Sequence, residues 1–265
     1  MSHTLGYTVN CSMLFTELPL TERPRAARDA GFDAVEFWWP FEGATPPPAQ
    51  VDAFVDAVAA AGVRLTGLNF FAGALPGPDR GVLSQPARAA EFRANLDVVT
   101  AIAERTGTTG FNALYGLRQA GTDPAEQDRV ALENTVAAAA AVARVGGTVL
   151  VEPISGAADY PLKTARQGLD FVARAREAGA ANVALLADLY HLAVNGDDVA
   201  AVVRDHAAEF GHVQIADAPG RGEPGTGELP LDDLLTAAQK GGYQGLVGLE
   251  YKPTVPTAQS FGRLR

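Results

Sequence analysis

Four apolar, strand-like segments in the second half of the chain each end on a side chain that carries oxygen. Burying a carboxylate costs several kcal/mol unless a cation or hydrogen-bond donors compensate, so an apolar strand does not normally finish on an acid. If the four segments lie side by side, three carboxylates and one amide converge, and the pattern predicts a metal site. The segments are Val149–Glu152, Ala184–Asp188, His212–Gln214 and Leu246–Glu250.

The four predicted ligands offer only hard oxygen atoms, which favours Mg²⁺ or Mn²⁺ over zinc. Three carboxylates around a divalent cation leave one excess negative charge, so one of them can also handle a proton. A single acid at a strand end could simply cap the next helix or face solvent, but four in succession disfavour that interpretation. Gln214 is the least certain ligand of the four, since ordinary backbone hydrogen bonds can also satisfy a buried amide. The ligands are Glu152, Asp188, Gln214 and Glu250.

Eight short β-type runs alternate with longer, alanine-rich helical stretches, a pattern typical of repeated βα units around a parallel sheet. The runs begin about 34 residues apart on average, close to the spacing that eight units in about 250 residues need. The prediction is a single α/β domain over residues 1–265, a (β/α)8 TIM barrel. The strands are predicted to begin near Leu5, Ala34, Arg64, Gly110, Thr148, Val183, His212 and Leu246.

Seven helices are predicted between the strands, and the eighth is predicted to be short or absent because Pro253 and Pro256 interrupt the tail. The predicted helices are Leu20–Ala30, Pro48–Ala61, Ala87–Thr106, Pro124–Val145, Thr164–Ala178, Asp197–Phe210 and Leu231–Lys240. Glycines follow most of them, as expected where a left-handed residue ends a helix. These glycines are Gly31, Gly62, Gly107, Gly146, Gly179 and Gly241.

Three connections that follow strands are long, covering residues 70–85, 114–122 and 217–230. In a barrel they lie at the carboxyl ends of the strands, the face that carries the chemistry. The main rival fold is a doubly wound sheet that binds a dinucleotide. It is disfavoured because the first strand leads into Asn10–Met13 without a Gly-x-Gly-x-x-Gly turn.

The net charge of −10 disfavours binding to nucleic acid or to an anionic membrane. No apolar run reaches the roughly 18 residues of a membrane span, and the N-terminus has no signal-peptide pattern. A lone cysteine, Cys11, excludes an intrachain disulfide and a thiolate metal cluster. We therefore expect a soluble, cytoplasmic protein that acts on a small molecule, and leave the number of associated subunits open.

Several segments resemble the hydroxypyruvate isomerase family within the xylose-isomerase-like barrels. The resemblance covers nearly the whole chain, and the stretch from Gln214 to Glu228 is its most specific part. The segments that carry it include Ala30-Gly31-Phe32-Asp33-Ala34-Val35-Glu36-Phe37-Trp38, Asn112-Ala113-Leu114, Val151-Glu152-Pro153-Ile154, Asp188-Leu189-Tyr190-His191, Gln214-Ile215-Ala216-Asp217, Gly225-Thr226-Gly227-Glu228 and Gly248-x-Glu250-Tyr251.

The resemblance implies that the four strand-end residues bind the metal and that Glu152 and Glu250 also act as the two acid/base groups. The expected reaction moves a proton between neighbouring carbons of hydroxypyruvate, through an enediolate, to give tartronate semialdehyde. The metal would stabilise the enediolate charge. One departure is that Leu192–Gly196 lacks a glutamine that the family leads us to expect, which leaves the exact substrate open.

A hydroxy-keto acid also needs a cation that grips its carboxylate. Arg118 and Arg221, both in long loops, are candidates because a guanidinium forms two hydrogen bonds to a carboxylate. Each could equally be a solvated surface arginine. His191 is a candidate for binding substrate, with a buried structural histidine as the alternative. Trp38 follows the second strand, where it could wall a pocket, pack in the core or contact another subunit.

Three other functions remain as alternatives. A ketose 3-epimerase, or a related sugar isomerase, would use the same glutamate pair on the same barrel. A metal-dependent phosphodiesterase of the endonuclease IV type would need several histidines for a zinc cluster, whereas the chain has four in all and an acidic charge. A non-enzymatic sugar-binding barrel is disfavoured because an inactive descendant would usually have lost one of the acids.

Overall fold

Eight parallel strands close into a barrel in the computed structural model, which describes residues 3–264 apart from the side chain of Arg263. Each strand pairs with its neighbours in chain order, and the first pairs with the last. The predicted α/β class and (β/α)8 barrel are therefore confirmed. The strands are β1 (Tyr7–Asn10), β2 (Ala34–Phe37), β3 (Arg64–Asn69), β4 (Gly110–Asn112), β5 (Thr148–Val151), β6 (Val183–Asp188), β7 (Phe210–Ile215) and β8 (Val247–Leu249).

Helices connect the strands around the outside of the barrel, and the last one is a short remnant, as predicted. Asp123 begins the fourth helix by accepting a hydrogen bond from the backbone N–H of Ala125. No helix within residues 3–264 is both long and apolar enough to cross a bilayer. The helices are α1 (Arg23–Asp29), α2 (Pro48–Ala61), α3 (Ala89–Thr106), α4 (Pro124–Ala143), α5 (Ala165–Glu177), α6 (Leu189–Val194), α7 (Val199–His206), α8 (Leu231–Lys240) and α9 (Thr257–Ser260).

Three predicted details are wrong. The short helix α6 follows β6 directly, because the Asp188 side chain accepts hydrogen bonds from two backbone N–H groups and starts a helical turn there. The predicted helix at 197–210 is shorter at both ends, since Asp198 caps α7 and Phe210 pairs with β6 as the first residue of β7. After α8, Gly242 rather than Gly241 has the positive φ.

Side chains alternate along each strand between the barrel interior and the layer between the strands and the helices. In β7, Val213 and Ile215 join the large apolar cluster that includes residues from the strands and the surrounding helices, whereas His212 and Gln214 do not. A small cluster of Leu150, Ala184 and Leu186 is separate from it. Because successive residues of a strand face opposite sides of the sheet, polar and apolar side chains are sorted between the interior and the outer layer.

Polar side chains fill the upper part of the barrel interior, where branched apolar residues are usual. The buried polar residues Asn10, Glu36 and Asn112 lie on β1, β2 and β4. Glycine makes room for them: a Cβ on Gly248 would lie only 2.7 Å from Glu36 Oε1. The interior at the carboxyl ends of the strands is therefore built for polar contacts.

Asn95 on α3 ties two of the loops that follow strands to the outer layer. Its Oδ1 accepts a hydrogen bond from the Phe71 backbone N–H at 2.8 Å, and its Nδ2 donates to the Ala44 carbonyl at 2.8 Å. The side chain is fully buried. One amide thus anchors the loops that follow β2 and β3.

We expect Asn95→Ala to lower the free energy of unfolding by about 2 kcal/mol or more, because a buried donor and a buried acceptor lose their partner. Urea denaturation followed by circular dichroism measures the change. Glu104→Ala, at an exposed position of the same helix, is the matched control and should change stability by less than about 0.5 kcal/mol. Equal stability of the two variants would contradict the anchoring role.

Candidate active site

The four strand-end residues predicted from the sequence meet at one mouth of the barrel. Glu152 and Glu250 directly follow β5 and β8, Asp188 ends β6, and Gln214 lies in β7. All four side chains are buried. The amide Nε2 of Gln214 is 2.6 Å from Glu250 Oε2, and one guanidinium nitrogen of Arg221 is 2.6 Å from Glu250 Oε1 and 3.7 Å from Asp188 Oδ2. The structure therefore brings the four residues together.

Two oxygen atoms in this group are buried without a hydrogen-bond partner: Asp188 Oδ2 and Gln214 Oε1. The other carboxylate oxygen of Asp188 accepts the backbone N–H groups of Tyr190 and His191 at 2.9 and 3.2 Å, so the carboxylate is held in place. An unpaired buried oxygen is costly, and a cation would compensate it. Carboxylate and amide oxygens with this pattern fit a hard divalent cation.

Burial and crowding raise the pKa values of the two glutamates. Burial, and then the charge of Asp188, raise the pKa of Glu152 to about 8, although the Asn112 amide donates a hydrogen bond to it. Burial raises the pKa of Glu250 well above its usual range, against the opposing effect of Arg221. The site concentrates more negative charge than its basic neighbours balance, so it favours a bound proton or cation.

His191 lies beside the acids and presents a donor to them. Ligand atoms of Glu152, Asp188 and His191 all lie within 4.8 Å of one another. The backbone N–H of Ser155 donates to Nδ1 of His191 at 3.1 Å, so the ring proton is carried by Nε2. Burial lowers the pKa of His191 to about 4, which keeps the ring neutral. In this tautomer Nε2 donates hydrogen bonds and does not coordinate a metal.

Arg221 reaches the site from the loop between β7 and α8. The buried carboxylate of Asp217 shapes that loop by accepting the backbone N–H groups of Ala218, Gly225 and Leu229 at 2.7 to 3.0 Å. Arg221 itself has a φ of 61°, and its guanidinium lies 5.5 Å from the centre of the Tyr190 ring. The loop therefore delivers one fixed cation to the acids.

Three of the four predicted substrate-binding residues lie at one cavity, and the fourth does not. Trp38, His191 and Arg221 line a cavity of about 340 Å³ above the acids, together with Glu152 and Glu250. Arg118 does not line it. Its guanidinium is 2.6 Å from Asp128 Oδ1 and stacks on the ring of Tyr115, because its loop folds back against the start of α4. The structure does not bring Arg118 to the cavity.

Sequence reasoning missed several buried polar residues in the first four strands and in β7. Glu36 accepts hydrogen bonds from Asn10 and Gln214 and pairs with His212. Burial alone would raise the pKa of Glu36, but His212 and these amides lower it. The available signal was a polar residue inside an apolar strand, as in Val35-Glu36-Phe37 and Phe111-Asn112-Ala113.

The comparisons with known proteins agree with this architecture. Residues 24–265 match the family described as Xylose isomerase-like TIM barrel. The chain is 56% identical over 264 residues to a putative hydroxypyruvate isomerase of Streptomyces coelicolor, covering 97% of this chain and 95% of that protein. It is 35% identical over 259 residues to a 2-oxo-tetronate isomerase of Cupriavidus necator, covering 98% and 97%.

A solved structure is similar over the whole length. The crystal structure of an AP endonuclease of family 2 from Brucella melitensis superposes with a TM-score of 0.88 at 30% sequence identity, covering 98% of each chain. The closed parallel barrel and the family match place the chain among the xylose isomerase-like TIM barrels. The chain belongs to the hydroxypyruvate isomerase family of the xylose isomerase-like TIM barrels, and the predicted isomerase class is confirmed.

We expect the metal-free protein to lose stability as the pH rises from about 5 to 8. The raised pKa of Glu152 keeps a proton on its carboxyl group in the folded state up to about pH 8, whereas in the unfolded chain this group has its ordinary pKa of 4.5, so the folded state binds more protons in this window. Bound Mn²⁺ should replace the proton and flatten the profile. Melting temperatures measured against pH, with chelator and with Mn²⁺, test this expectation.

Glu152→Gln is the control, because it removes the titrating group and should weaken the dependence in the presence of chelator. A metal-free melting temperature that rises over the same window would contradict the charge crowding described above.

Proposed function

We propose that this chain is a divalent-metal-dependent isomerase that interconverts hydroxypyruvate and tartronate semialdehyde. The observation that carries the proposal is a pair of buried glutamates, Glu152 and Glu250, that line one cavity and whose pKa values are both raised. Aldose–ketose interconversion needs two groups that can each take up and return a proton near neutral pH. The names of the relatives from Streptomyces coelicolor and Cupriavidus necator support an oxo-acid substrate.

Glu152, Asp188, Gln214 and Glu250 would hold the cation, and their oxygen donors favour Mg²⁺ or Mn²⁺. When bound, the cation would stabilise the negative charge that develops on the substrate oxygens. His191 would add a hydrogen bond to a substrate oxygen through its Nε2–H, which the contact with Ser155 turns towards the acids. The neutral ring offers this donor without adding charge.

The two glutamates would move the proton. One would remove a proton from the carbon that bears the hydroxyl group, which gives an enediolate, and the other would deliver a proton to the neighbouring carbon. The hydroxyl proton would pass to the former carbonyl oxygen, and proton exchange with water would return both glutamates to their starting states. Arg221 lies 2.6 Å from Glu250 and holds that carboxylate towards the cavity. Trp38, Leu114 and Ile154 supply apolar surface around the same space and reduce the access of water to the enediolate.

Two cations at the cavity are candidates for the substrate carboxylate. Lys252 and Arg80 line the cavity together with Arg221. The Arg221 charge is committed to Glu250 and Asp188, whereas within residues 3–264 the ammonium of Lys252 has no hydrogen-bond or ion-pair partner. Arg80 is held by the backbone carbonyls of Gly77 and Asp79, which leave its charge unbalanced. A carboxylate at this end of the cavity would pair with them.

The nuclease activity named for the Brucella melitensis structure is not carried over to this chain. Within residues 3–264, the acids of the site have a single histidine beside them, His191, whose Nε2 carries a proton, so the histidines of a zinc cluster are missing. The net charge of −10 also opposes a phosphate backbone. A ketose 3-epimerase would use the same two glutamates, so substrate profiling with hydroxypyruvate and neutral ketoses separates that alternative.

We expect Glu250→Gln to lower kcat with hydroxypyruvate by at least about 100-fold while the fold is kept, because the amide cannot exchange a proton. Steady-state kinetics with added Mn²⁺, and circular dichroism of the same sample, provide the measurements. Glu228→Gln, at an exposed position of the loop after β7, is the control and should leave kcat unchanged. Undiminished turnover by Glu250→Gln would exclude this residue from proton transfer.

We expect the double variant Arg80→Ala and Lys252→Ala to lower kcat/KM for hydroxypyruvate by about 10-fold or more, since the loss of charged hydrogen bonds costs about 1.5–3 kcal/mol. A neutral ketose, which has no carboxylate, should be affected much less. Arg118→Ala is the matched control, because its guanidinium pairs with Asp128 outside the cavity. Equal losses for acid and neutral substrates would reject the assignment.

A further inference from the structure

A fourth carboxylate lies buried beside the proposed metal ligands and belongs to none of the strands that supply them. Glu36 on β2 is 3% exposed. The pairing of β2 with β3 shifts register between Val35 and Glu36, a local irregularity of the kind found beside active sites. Both oxygens of Glu36 are used: Oε1 accepts from Gln214 and Asn10 at 2.7 and 3.1 Å, and Oε2 pairs with His212 at 2.7 Å.

Two carboxylates, Glu36 and Glu250, contact the same end of the Gln214 amide. The amide Nε2 lies 2.7 Å from Glu36 Oε1 and 2.6 Å from Glu250 Oε2, and a carboxylate oxygen accepts hydrogen bonds only from a donor. The amide nitrogen of Gln214 must therefore face Glu36 and Glu250. The opposite atom, Gln214 Oε1, is buried without a partner, which leaves it available to a cation.

A glycine on the neighbouring strand permits this contact. A Cβ on Gly248 of β8 would lie 2.7 Å from Glu36 Oε1, 2.7 Å from Gln214 Cγ and 3.0 Å from His212 Nε2. Real Cβ atoms do not approach other atoms so closely, so any larger residue would push the carboxylate and the amide apart. The missing side chain of Gly248 thus leaves the space in which Glu36, Gln214 and His212 meet.

We propose that Glu36 is a positioning residue that aims the Gln214 carbonyl oxygen at the metal and strengthens it as a donor. A carboxylate that accepts from the far side of a ligand fixes its orientation and increases the electron density on the coordinating atom. His212 Nε2 lies 2.7 Å from the other oxygen of Glu36 and holds that end of the carboxylate in place. The amide gains donor strength in this way, and no fourth acid enters the coordination sphere.

The inference rests on the divalent-metal site proposed above, so the experiment measures metal binding directly. Isothermal titration calorimetry with Mn²⁺ and metal-free protein gives the Kd, and thermal melting of the same metal-free protein reports structural damage. We expect Glu36→Gln to weaken Mn²⁺ binding by about 10- to 100-fold. The metal-free melting temperature should change little, because the introduced amide has nearly the shape of the carboxylate and its oxygen can still accept a hydrogen bond from Asn10.

An exchange of the two side chains provides the decisive variant. In E36Q/Q214E the amide at position 36 donates to the carboxylate at position 214, which restores the donor and acceptor order of the contact. We expect E36Q to weaken Mn²⁺ binding in the wild-type background but not in the Q214E background, whereas a purely structural role of Glu36 predicts the same loss in both. Asp128→Asn, which removes a carboxylate that pairs with Arg118 away from the cavity, is the matched control and should leave the Kd unchanged.

Gly248→Ala tests the same contact with every acid and amide retained, and it keeps the inference testable if E36Q does not fold. We expect weaker Mn²⁺ binding from the displaced amide. An unchanged Kd in E36Q, or an equal loss from E36Q in the wild-type and Q214E backgrounds, would overturn the role of Glu36 and leave the proposed function standing. A wild-type protein that binds no divalent cation would overturn the proposed function and this inference together.

Discussion

The burial of four carboxylates at one end of a closed barrel is the constraint on which the other features of the site depend. Glu36, Glu152, Asp188 and Glu250 are all less than 5% exposed. Within residues 3–264, the basic side chains that pair with them are Arg221, His191 and His212, and His191 is neutral. Uncompensated charge in such a place is costly. The raised pKa values of Glu152 and Glu250 follow from this burial and crowding, and Asp188 Oδ2 is left without a hydrogen-bond partner in the same place.

The barrel can hold these acids close together because each one is positioned by a different strand. Parallel strands end at the same face, so ligands separated by whole βα units arrive together without long flexible connections. Local contacts then hold each group. Backbone N–H groups of α6 fix one oxygen of Asp188, Asn112 donates to Glu152, and the Asp217-centred loop carries Arg221 to Glu250. Hydrogen bonds within the protein therefore place these groups without a ligand, and groups placed in advance are what stabilise charge that develops during a reaction.

Much of the fold and part of the site could be predicted from the sequence. The eight strands, the positions of seven helices and the short terminal helix follow from local periodicity, proline and glycine, whose effects reach only a few residues along the chain. The convergence of Glu152, Asp188, Gln214 and Glu250 follows from strand order alone. Arg118 shows the limit of this approach, because it lies, like Arg221, in a long loop that follows a strand, but its loop folds back onto Asp128. Glu36 was missed as a site residue because it lies far away in sequence, on β2.

The sequence by itself determined which residues end the strands and therefore which oxygen atoms can share a cation. Hydrophobic alternation and the order of the strands are local properties, and they suffice for that result. Only the tertiary structure decided which groups surround those oxygens: the tautomer of His191 through Ser155, the orientation of Gln214 through Glu36, and the choice of Arg221 over Arg118. Each depends on distances of about 3 Å between residues many positions apart, because hydrogen bonds and charge pairs form only at such distances.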